Sequence, residues 1–223
     1  MTVSLLCRGE SLKHINLLPQ ADVCVLVNAF HYELENDDVH NYVSKCKEVI
    51  HVVSLGTQFR QMIENDVYRR YNFTKIVLPY VKDVLPNVPD YIRNIQGNNG
   101  TLPVHTLSDI NKQYMISTKR YAYTAPTAGL DALLYTVNEL ESTAVNIIGM
   151  DFYDNSGYMT NSHGRRKDEV TRAQAIQYGE STDSMKKFLY SFVNKRKDII
   201  FNLYTNSVTS SDLDNLNVKV FND

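Results

Sequence analysis

Short apolar runs separated by stretches of helical periodicity are the feature of this sequence that most constrains its fold. Such alternation is typical of βαβ units, in which helices join parallel strands and cover both faces of the sheet. Several runs are continuously apolar, as strands buried on both faces require. Seven strands are predicted, from Val3 to Cys7, Val23 to Asn28, Val49 to Leu55, Lys75 to Leu78, Leu102 to Leu107, Ala144 to Met150 and Ile199 to Tyr204.

Two helices have the clearest periodicity. The first is predicted from about Pro126 to Glu141, because leucines recur on one face and Pro126 suits a first turn. The second is predicted from Thr182 to about Asn194. Between the last strands, residues 154–179 form a polar, glycine-containing insertion. An insertion of this length at a strand end is more typical of a lid or binding loop than of a passive connection.

The composition fits one globular α/β domain over residues 1–223, with 43% hydrophobic and 22% charged residues. The net charge of −2 is spread over both signs, which argues against nucleic acid as a partner. The amino-terminal apolar run is too short for a signal peptide, and no stretch approaches the ~20 apolar residues of a membrane span. We therefore expect a cytoplasmic protein with no integral membrane segment. The oligomeric state stays open, with a homo-oligomer among the options.

Neither the cysteines nor the acidic pairs predict a metal site. Cys7, Cys24 and Cys46 are odd in number, and the first two fall in apolar runs, so we interpret them as small core residues. Asp212 and Asp214 match the Asp-x-Asp pattern of metal-dependent glycosyltransferases. They follow the last predicted strand, in what we interpret as a polar surface tail.

Three segments near predicted strand and helix ends carry residues suited to a ligand site. Arg8-Gly9-Glu10-Ser11-Leu12 follows the first strand, where the N–H groups of a turn can meet a phosphate, although an ordinary strand-to-helix turn fits as well. Asn28 closes the second strand and can contact a base or ribose, or serve as a turn residue. Thr127-Ala128-Gly129 opens the first helix, where it either admits a ligand to the positive helix end or only caps the helix.

The segment Gly149-Met150-Asp151-Phe152-Tyr153 leaves a buried strand and enters the polar insertion, with Tyr158 five residues further on. An aspartate at this position can orient a nucleotide, and tyrosyl hydroxyls can donate hydrogen bonds to a departing phosphate. Aromatic packing is the alternative for each residue alone. The coincidence with the other strand-end segments favours a site.

Together these segments resemble the bacterial sialyltransferases of the Campylobacter type and, more distantly, the sialyl motifs of eukaryotic and marine viral enzymes. Arg8-Gly9-Glu10-Ser11-Leu12 is similar to the family's Gly-Asn-Gly-Pro-Ser-Leu, and Asn28 to its nucleotide-binding Asn. The stretch ending in Ser54 and the start at Thr127-Ala128-Gly129 resemble further family segments. Gly149-Met150-Asp151-Phe152-Tyr153 is similar to Gly-Ile-Asp-Phe-Tyr.

The resemblance implies a Rossmann-like domain of the sialyltransferase GT-A variety. It also implies a metal-independent, inverting transfer of sialic acid or a related acidic sugar from a CMP-sugar donor to a glycan hydroxyl, with no further cofactor. The segments that match the family's nucleotide site contribute Arg8, Gly9, Ser11, Asn28, Ser54, Thr127, Ala128, Gly129, Gly149, Asp151 and Phe152. Tyr153 and Tyr158 fall near the family's two phosphate-stabilising tyrosines.

Three departures from the family pattern bear on activity. Arg8 replaces an Asn, and Ala128 replaces a Ser. The family's catalytic histidine before the helix that follows the lid is absent, because this chain has Gln177-Tyr178-Gly179-Glu180-Ser181 there. His163 on the lid and Glu180 are the candidate bases. The alternatives are that His163 is an inert loop histidine and that Glu180 is a helix-capping charge.

Two other functions remain open on the sequence. One is an enzyme that resembles archaeal hydroxymethylpterin diphosphokinase, which shares the sheet and the first loop and would need ATP and magnesium. The other is a nucleotide- or glycan-binding module that has lost transfer, which the missing histidine motivates.

Overall fold

The computed structural model describes residues 1–53, 61–78, 104–106, 127–152, 158–159 and 182–221. Within them, eight strands form one sheet in which every neighbouring pair is parallel. In chain order the strands are β1 (Thr2–Leu6), β2 (Val23–Val27), β3 (Glu48–Val52), β4 (Phe73–Leu78), β5 (Val104–Thr106), β6 (Ala144–Ile148), β7 (Ile200–Thr205) and β8 (Leu216–Val220). Their spatial order is β5-β4-β3-β2-β1-β6-β7-β8.

The predicted parallel α/β sheet is confirmed, and each of the seven predicted strands is present with its ends shifted by a few residues. The interpretation of the carboxyl-terminal segment as a polar tail was wrong, because Leu216–Val220 forms the edge strand β8. Leu216 is buried while Asn217 and Lys219 are exposed, so burial alternates along this strand, whereas the central strands β1, β2 and β6 are almost entirely buried. An edge strand with one covered face needs only that weaker pattern.

Helices cover both faces of the sheet. They are the 3₁₀ helices η1 (Glu10–Leu17) and η2 (Phe30–Glu35) and the α-helices α1 (Asp37–Ser44), α2 (Val67–Arg70), α3 (Ala128–Glu139) and α4 (Thr182–Lys195). The two predicted helices are α3 and α4. The Asn36 side chain caps α1 by accepting hydrogen bonds from the N–H groups of Asp38 and Val39.

Alternate residues of β1, β2, β3, β4 and β6 enter two separate hydrophobic clusters. Val3 and Leu5 of β1 pack with α3 and α4 on one face, while Leu6 packs with η1, η2 and α1 on the other. All three side chains are fully buried, and such burial stabilises the fold by about 1.5–3 kcal/mol for each large apolar side chain. The sheet is therefore held from both sides, which fixes the positions of its strand ends.

A row of polar side chains crosses the sheet on the η1 face. Ser4, Asn146, Asn202 and Asn217 lie opposite one another on β1, β6, β7 and β8. The Asn217 amide donates to Asn202, the Asn202 amide to Asn146, and the Asn146 amide to Ser4, over 2.9, 2.9 and 3.4 Å. The row satisfies buried polar groups across four strands without a charge.

The strand order reverses between β1 and β6, since the chain adds β2 to β5 on one side of β1 and β6 to β8 on the other. The two central strands are paired from Thr2 with Ala144 to Leu6 with Ile148, so they end level with each other. At such a switch point the loops leave in opposite directions and open a crevice at the carboxyl edge. This is the place in the fold where a ligand is expected.

The described cysteines are buried and unbridged, as the sequence predicted, and the thiols of Cys24 and Cys46 contact each other at 2.6 Å. Among the residues that the structure describes, no group of three His, Cys, Asp or Glu side chains is arranged to hold a metal ion. Within the same residues, every helix is too short or too polar to cross a membrane.

Candidate ligand pocket at the carboxyl ends of β1 and β6

A pocket that is partly open to solvent lies at the switch point. Its wall combines the loops after β1, β2 and β6 with the first turn of α3. It is lined by Cys7, Arg8, Gly9, Val27, Asn28, Thr127, Ala128, Gly129, Leu130, Gly149, Met150, Asp151, Phe152, Tyr158 and Met185.

Two glycines let the loops after β1 and β6 cross in contact. The Gly9 N–H donates to the Gly149 carbonyl over 2.8 Å, and Gly149 has a φ of +75°. A Cβ atom at Gly149 would lie 2.2 Å from the Cys7 carbonyl oxygen, and one at Gly9 would lie 2.4 Å from Asp151 Oδ2. Only glycine fits both positions, because backbone atoms occupy the space that a side chain would need.

Asp151 ties together the ends of three strands. Its Oδ2 accepts a hydrogen bond from the Ser11 N–H over 2.9 Å, after β1. Its Oδ1 accepts from the Thr205 hydroxyl and the Asn206 N–H, both over 3.0 Å, at the end of β7. With Asp151 only 4% exposed, these charge-assisted bonds replace water around the carboxylate. The Asp151 carboxylate therefore acts here as a structural clamp at the pocket floor.

Ser11 lies behind the pocket wall and is fully buried. Its hydroxyl accepts a hydrogen bond from the Gly149 N–H over 2.9 Å and donates to the Tyr204 carbonyl over 3.3 Å. Both hydrogen-bonding directions of the hydroxyl are used within the protein. Ser11 thus shapes the Gly149 turn.

The loop after β2 turns at Asn28, which has a φ of +55° in the left-handed region. Its carbonyl accepts a hydrogen bond from His51 Nε2 over 2.6 Å, and His51 Nδ1 accepts from the Tyr68 hydroxyl over 2.5 Å. This pairing fixes a neutral imidazole with its proton on Nε2. Burial lowers the pKa of His51 to about 4, although the Asn28 carbonyl opposes that shift.

Phe152 repeats the left-handed conformation on the β6 side, with a φ of +53°. A left-handed backbone is uncommon for an aromatic residue and occurs where the surroundings hold it, often at ligand sites. Its ring is buried, and Lys186 Nζ lies 5.8 Å from the ring centroid. Both walls of the pocket therefore contain a strained non-glycine residue.

Helix α3 begins at the pocket. Thr127 is its N-cap, and its carbonyl accepts the first helical hydrogen bond from the Asp131 N–H over 2.8 Å. The N–H groups of the first turn have no carbonyl partner within the helix, which makes this end attractive to anions. A Cβ on Gly129 would lie 3.0 Å from Cys7 Sγ, so the first turn packs closely against the end of β1.

The guanidinium of Arg8 is buried beneath aromatic rings on the β2 side of the pocket. Arg8 Nε donates to Glu33 Oε2 over 2.8 Å, and the two side chains are 3% and 0% exposed. The ring centroids of Tyr158 and Tyr32 lie 4.7 and 5.7 Å from Arg8 Cζ, which is within range of a cation–π attraction. Tyr158 is held there because it pairs with Gly9 and because the Met159 N–H donates to the Arg8 carbonyl over 2.8 Å.

The thiol of Cys7 lines the pocket but is poorly suited to act as a nucleophile. Burial, reinforced by the nearby Asp151 charge, raises the pKa of this thiol far above its usual range. A thiol attacks as its thiolate, and the thiolate is disfavoured here. Chemistry in this pocket therefore has to come from other groups.

Most of the candidate residues named from the sequence meet in this one pocket. Ser11 is the exception among those described, since it lies behind the wall. Ser54, Tyr153, His163 and Glu180 lie outside the described residues, as does most of the predicted lid at 154–179. The described members that line the pocket are Arg8, Gly9, Asn28, Thr127, Ala128, Gly129, Gly149, Asp151, Phe152 and Tyr158.

Sequence reasoning missed three residues that shape this site. Glu33 and Glu35 look alike in the sequence, and only the turn of η2 buries Glu33. His51 lies within an apolar strand, and a polar residue there was a usable signal that went unused. Thr205 directly follows a predicted strand, and nothing in its local sequence indicates that its hydroxyl donates to Asp151 at the end of the neighbouring strand.

Two solved structures are similar to this chain. A crystal structure of the sialyltransferase CST-II in complex with a trisaccharide acceptor and CMP has a TM-score of 0.59 and 16% identity, over 98% of this chain and 86% of that one. A crystallographic analysis of monomeric CstII gives a TM-score of 0.49 and 17% identity, over 99% and 89%. No family model and no curated protein matches the sequence. At this identity the first likeness shows a common fold over nearly the whole chain.

Proposed function

We propose that this chain is a CMP-sugar-dependent glycosyltransferase of the sialyltransferase type. One observation carries the proposal: the separate motif segments after β1, β2 and β6 and at the start of α3 line a single pocket at the switch point of the sheet. The fold is shared with a sialyltransferase whose crystals contain CMP and an acceptor. The donor would be a CMP-linked sialic acid or related acidic sugar, and the acceptor a glycan hydroxyl.

The donor nucleotide matches this pocket in chemistry. The wall combines polar residues, Asn28 and Thr127 among them, with apolar surface at Met150 and Phe152, a mixture that suits a base and ribose. The first turn of α3 offers N–H groups to a phosphate. In our proposal the CMP moiety therefore lies across the ends of β1 and β2, with its phosphate near α3.

The proposed reaction is a metal-independent, inverting displacement at the anomeric carbon. The acceptor hydroxyl attacks that carbon and loses its proton to a base, while the bond to the CMP phosphate breaks. Hydroxyls of Tyr158 and Tyr153 would donate hydrogen bonds to the departing phosphate and stabilise its charge in place of a metal ion. The base would be His163 or Glu180, on or next to the 154–179 loop that we propose to bind the acceptor.

A thermal-shift series tests the donor class, because a ligand that binds the native state raises the melting temperature. We expect CMP to stabilise the protein in the presence of a metal chelator. Stabilisation by ATP with magnesium, and none by CMP, would instead indicate the diphosphokinase-like alternative.

Release of CMP from CMP-sialic acid, with and without a sialylated or galactose-terminated acceptor, tests catalysis. We expect Tyr158→Phe to lower kcat by about a hundredfold, as the loss of one hydrogen bond to developing charge does. Tyr190→Phe is the matched control, since Tyr190 lies on α4 and does not line the pocket. Binding of CMP without turnover in the unaltered protein would reject catalysis and leave a binding module.

The base is identified by comparing His163→Gln and Glu180→Gln. We expect one of the two to remove the acidic limb of the pH–rate profile while leaving CMP affinity unchanged. Full activity in both variants would reject both assignments.

A further inference from the structure

Arg8 has hydrogen-bonding capacity that the described protein does not use. Its Nε is taken by Glu33, but its Nη2 is buried and has no hydrogen-bond partner among the residues that the structure describes. A buried, unsatisfied donor on a charged group costs more than one on a neutral group. Such a group at the wall of a pocket is a candidate for binding a ligand atom.

The surroundings of Arg8 hold the guanidinium in one orientation. Glu33 fixes Nε from one side at 2.8 Å, and the rings of Tyr158 and Tyr32 lie over its faces. A planar guanidinium held in this way presents the N–H groups of Nη2 in a fixed direction, ready to donate to an oxygen of a phosphate or carboxylate. Little conformational entropy is then lost when an oxyanion binds.

The position of Arg8 makes its charge available to a ligand. Arg8 and Tyr158 both line the pocket, and the Tyr158 ring centroid is 4.7 Å from Arg8 Cζ. A ligand group that contacts Tyr158 therefore lies close to the positive charge. The first turn of α3 lines the same pocket and adds a second positive field.

We propose that Arg8 is an oxyanion-binding residue of this pocket and that Glu33 is its positioning residue. The ligand chemistry is a phosphate or carboxylate of an acidic nucleotide-sugar, and this identity rests on the proposed function. Arg8 would give the pocket a fixed positive charge. Anionic ligands such as CMP would then bind more tightly than the neutral nucleoside cytidine.

Calorimetric titrations with cytidine, CMP and the 3-fluoro analogue of CMP-sialic acid test the proposal on the intact chain. The unaltered protein is compared with the double variant Arg8→Gln/Glu33→Gln, which leaves no buried charge unpaired and so protects the fold. A charge-assisted hydrogen bond supports a preference on the order of tenfold to a hundredfold. Circular dichroism and melting temperature confirm that the variant is folded.

The three ligands distinguish the two sources of the oxyanion. If Arg8 binds the phosphate, the double variant loses the preference for CMP over cytidine while its cytidine affinity is unchanged. If Arg8 binds the sugar carboxylate, CMP affinity is unchanged and only the added affinity of the fluoro analogue is lost. The proposal is overturned if all three affinities are the same in both proteins.

The single variant Glu33→Gln separates the effect of the Glu33 charge from its effect on the orientation of Arg8. It keeps Arg8 and removes the negative charge that competes with the ligand, so CMP affinity should rise relative to cytidine. An equal fall in the affinities for cytidine and CMP would mean that the pair is only structural and would contradict an anion site at Arg8.

Failure of the proposed function would look different. If neither cytidine nor CMP binds the unaltered protein, the donor assignment fails, and the Arg8 proposal is then decided with inorganic phosphate and acetate. A rise in melting temperature with either ion that the double variant lacks supports an oxyanion site. Equal behaviour of the two proteins rejects it.

Discussion

The two sides of the pocket floor are held by different chemistry. On the side of β1, β6 and β7, backbone contacts between Gly9 and Gly149 are locked by the Asp151 carboxylate. On the side of β2 and β3, a neutral imidazole at His51 holds the Asn28 carbonyl. The first side depends on the absence of side chains and on a carboxylate, whereas the second depends on the protonation state of one ring.

This difference predicts how each side fails. Steric or hydrogen-bonding changes should damage the β1/β6 side most, because its atoms are in van der Waals contact and its donors have no access to water. Acid should damage the β2/β3 side, because a protonated His51 can no longer accept the Tyr68 hydrogen bond. The predictions that follow test this contrast, beginning with the largest expected effect.

The largest effect is expected from Gly149→Ala. The new Cβ would lie 2.2 Å from the Cys7 carbonyl oxygen, and residue 149 has a φ of +75°. Relieving the contact would require a shift of the backbone, which has a large energetic cost. We expect a loss of about 4 kcal/mol in the free energy of unfolding, measured by urea denaturation, or loss of cooperative unfolding. The matched control is Gly129→Ala, whose Cβ meets mainly the Cys7 and Met150 side chains, and it should stay within about 1 kcal/mol of the unaltered protein. Equal losses in both variants would contradict the argument.

A somewhat smaller effect is expected from Asp151→Ala. The change leaves the Ser11 N–H, the Asn206 N–H and the Thr205 hydroxyl without their acceptor, and we expect a loss of about 3 kcal/mol in urea denaturation. The exposed Asp22, paired with Lys47, provides the control. Asp22→Ala should have a much smaller effect, because water replaces that partner. If both aspartates give the same loss, the clamp at Asp151 does not stabilise the fold.

The strand ends of this site could be predicted from sequence, and the clamp could not. Apolar runs that stop at Gly9, Asn28 and Gly149 locate the carboxyl edge, because a parallel α/β sheet places all such ends together. The bonds from Thr205 and Asn206 to Asp151 arise only once β7 lies beside β6, and no local pattern encodes that neighbour. Strand β8 was not predicted for a related reason. Only one face of this edge strand is covered, so only alternate residues need to be apolar.

The Arg8 pair illustrates the same limit. Arg8 was recognised as a departure from the family's loop, but its partner Glu33 lies 25 residues away and is chemically identical to Glu35. Burial decides between the two glutamates, and burial depends on how η2 packs on the sheet. The sequence therefore predicted which segments come together at the pocket, and the packing determines which charged side chains are buried beside it.

The β2/β3 side should respond to pH. Because the folded pKa of His51, about 4, is below its unfolded value of about 6.5, the unfolded state binds more protons between these values. The stability contributed by neutral His51 is fully present above pH 6.5 and is lost as the pH falls toward 4. Between pH 7 and pH 5 this amounts to about 2 kcal/mol.

The measurement compares the unaltered protein with His51→Gln in urea denaturation from pH 8 to pH 5. Glutamine can donate to the Asn28 carbonyl and accept from Tyr68, but it does not titrate. The two proteins differ only at residue 51, so the difference between their curves reports the titration of His51 together with its coupling to the nearby His31. We expect that difference to shrink as the pH falls, and curves that stay parallel would show that His51 does not couple folding to pH.

The smallest effect concerns the polar row beneath the β6/β7 ends. Asn202→Ala removes the donor to the buried Asn146 Oδ1, and the loss of one such neutral hydrogen bond should cost about 1 kcal/mol in urea denaturation. Asn217→Ala, at the exposed end of the row, should change stability by less than about 0.5 kcal/mol, because water can replace its bond to Asn202. A loss at Asn202 as large as at Asp151 would mean that the neutral row, and not the carboxylate, holds these strands level. The β1/β6 side of the pocket floor would then be held by a hydrogen-bonded row that spans four strands, and not by the Asp151 carboxylate alone.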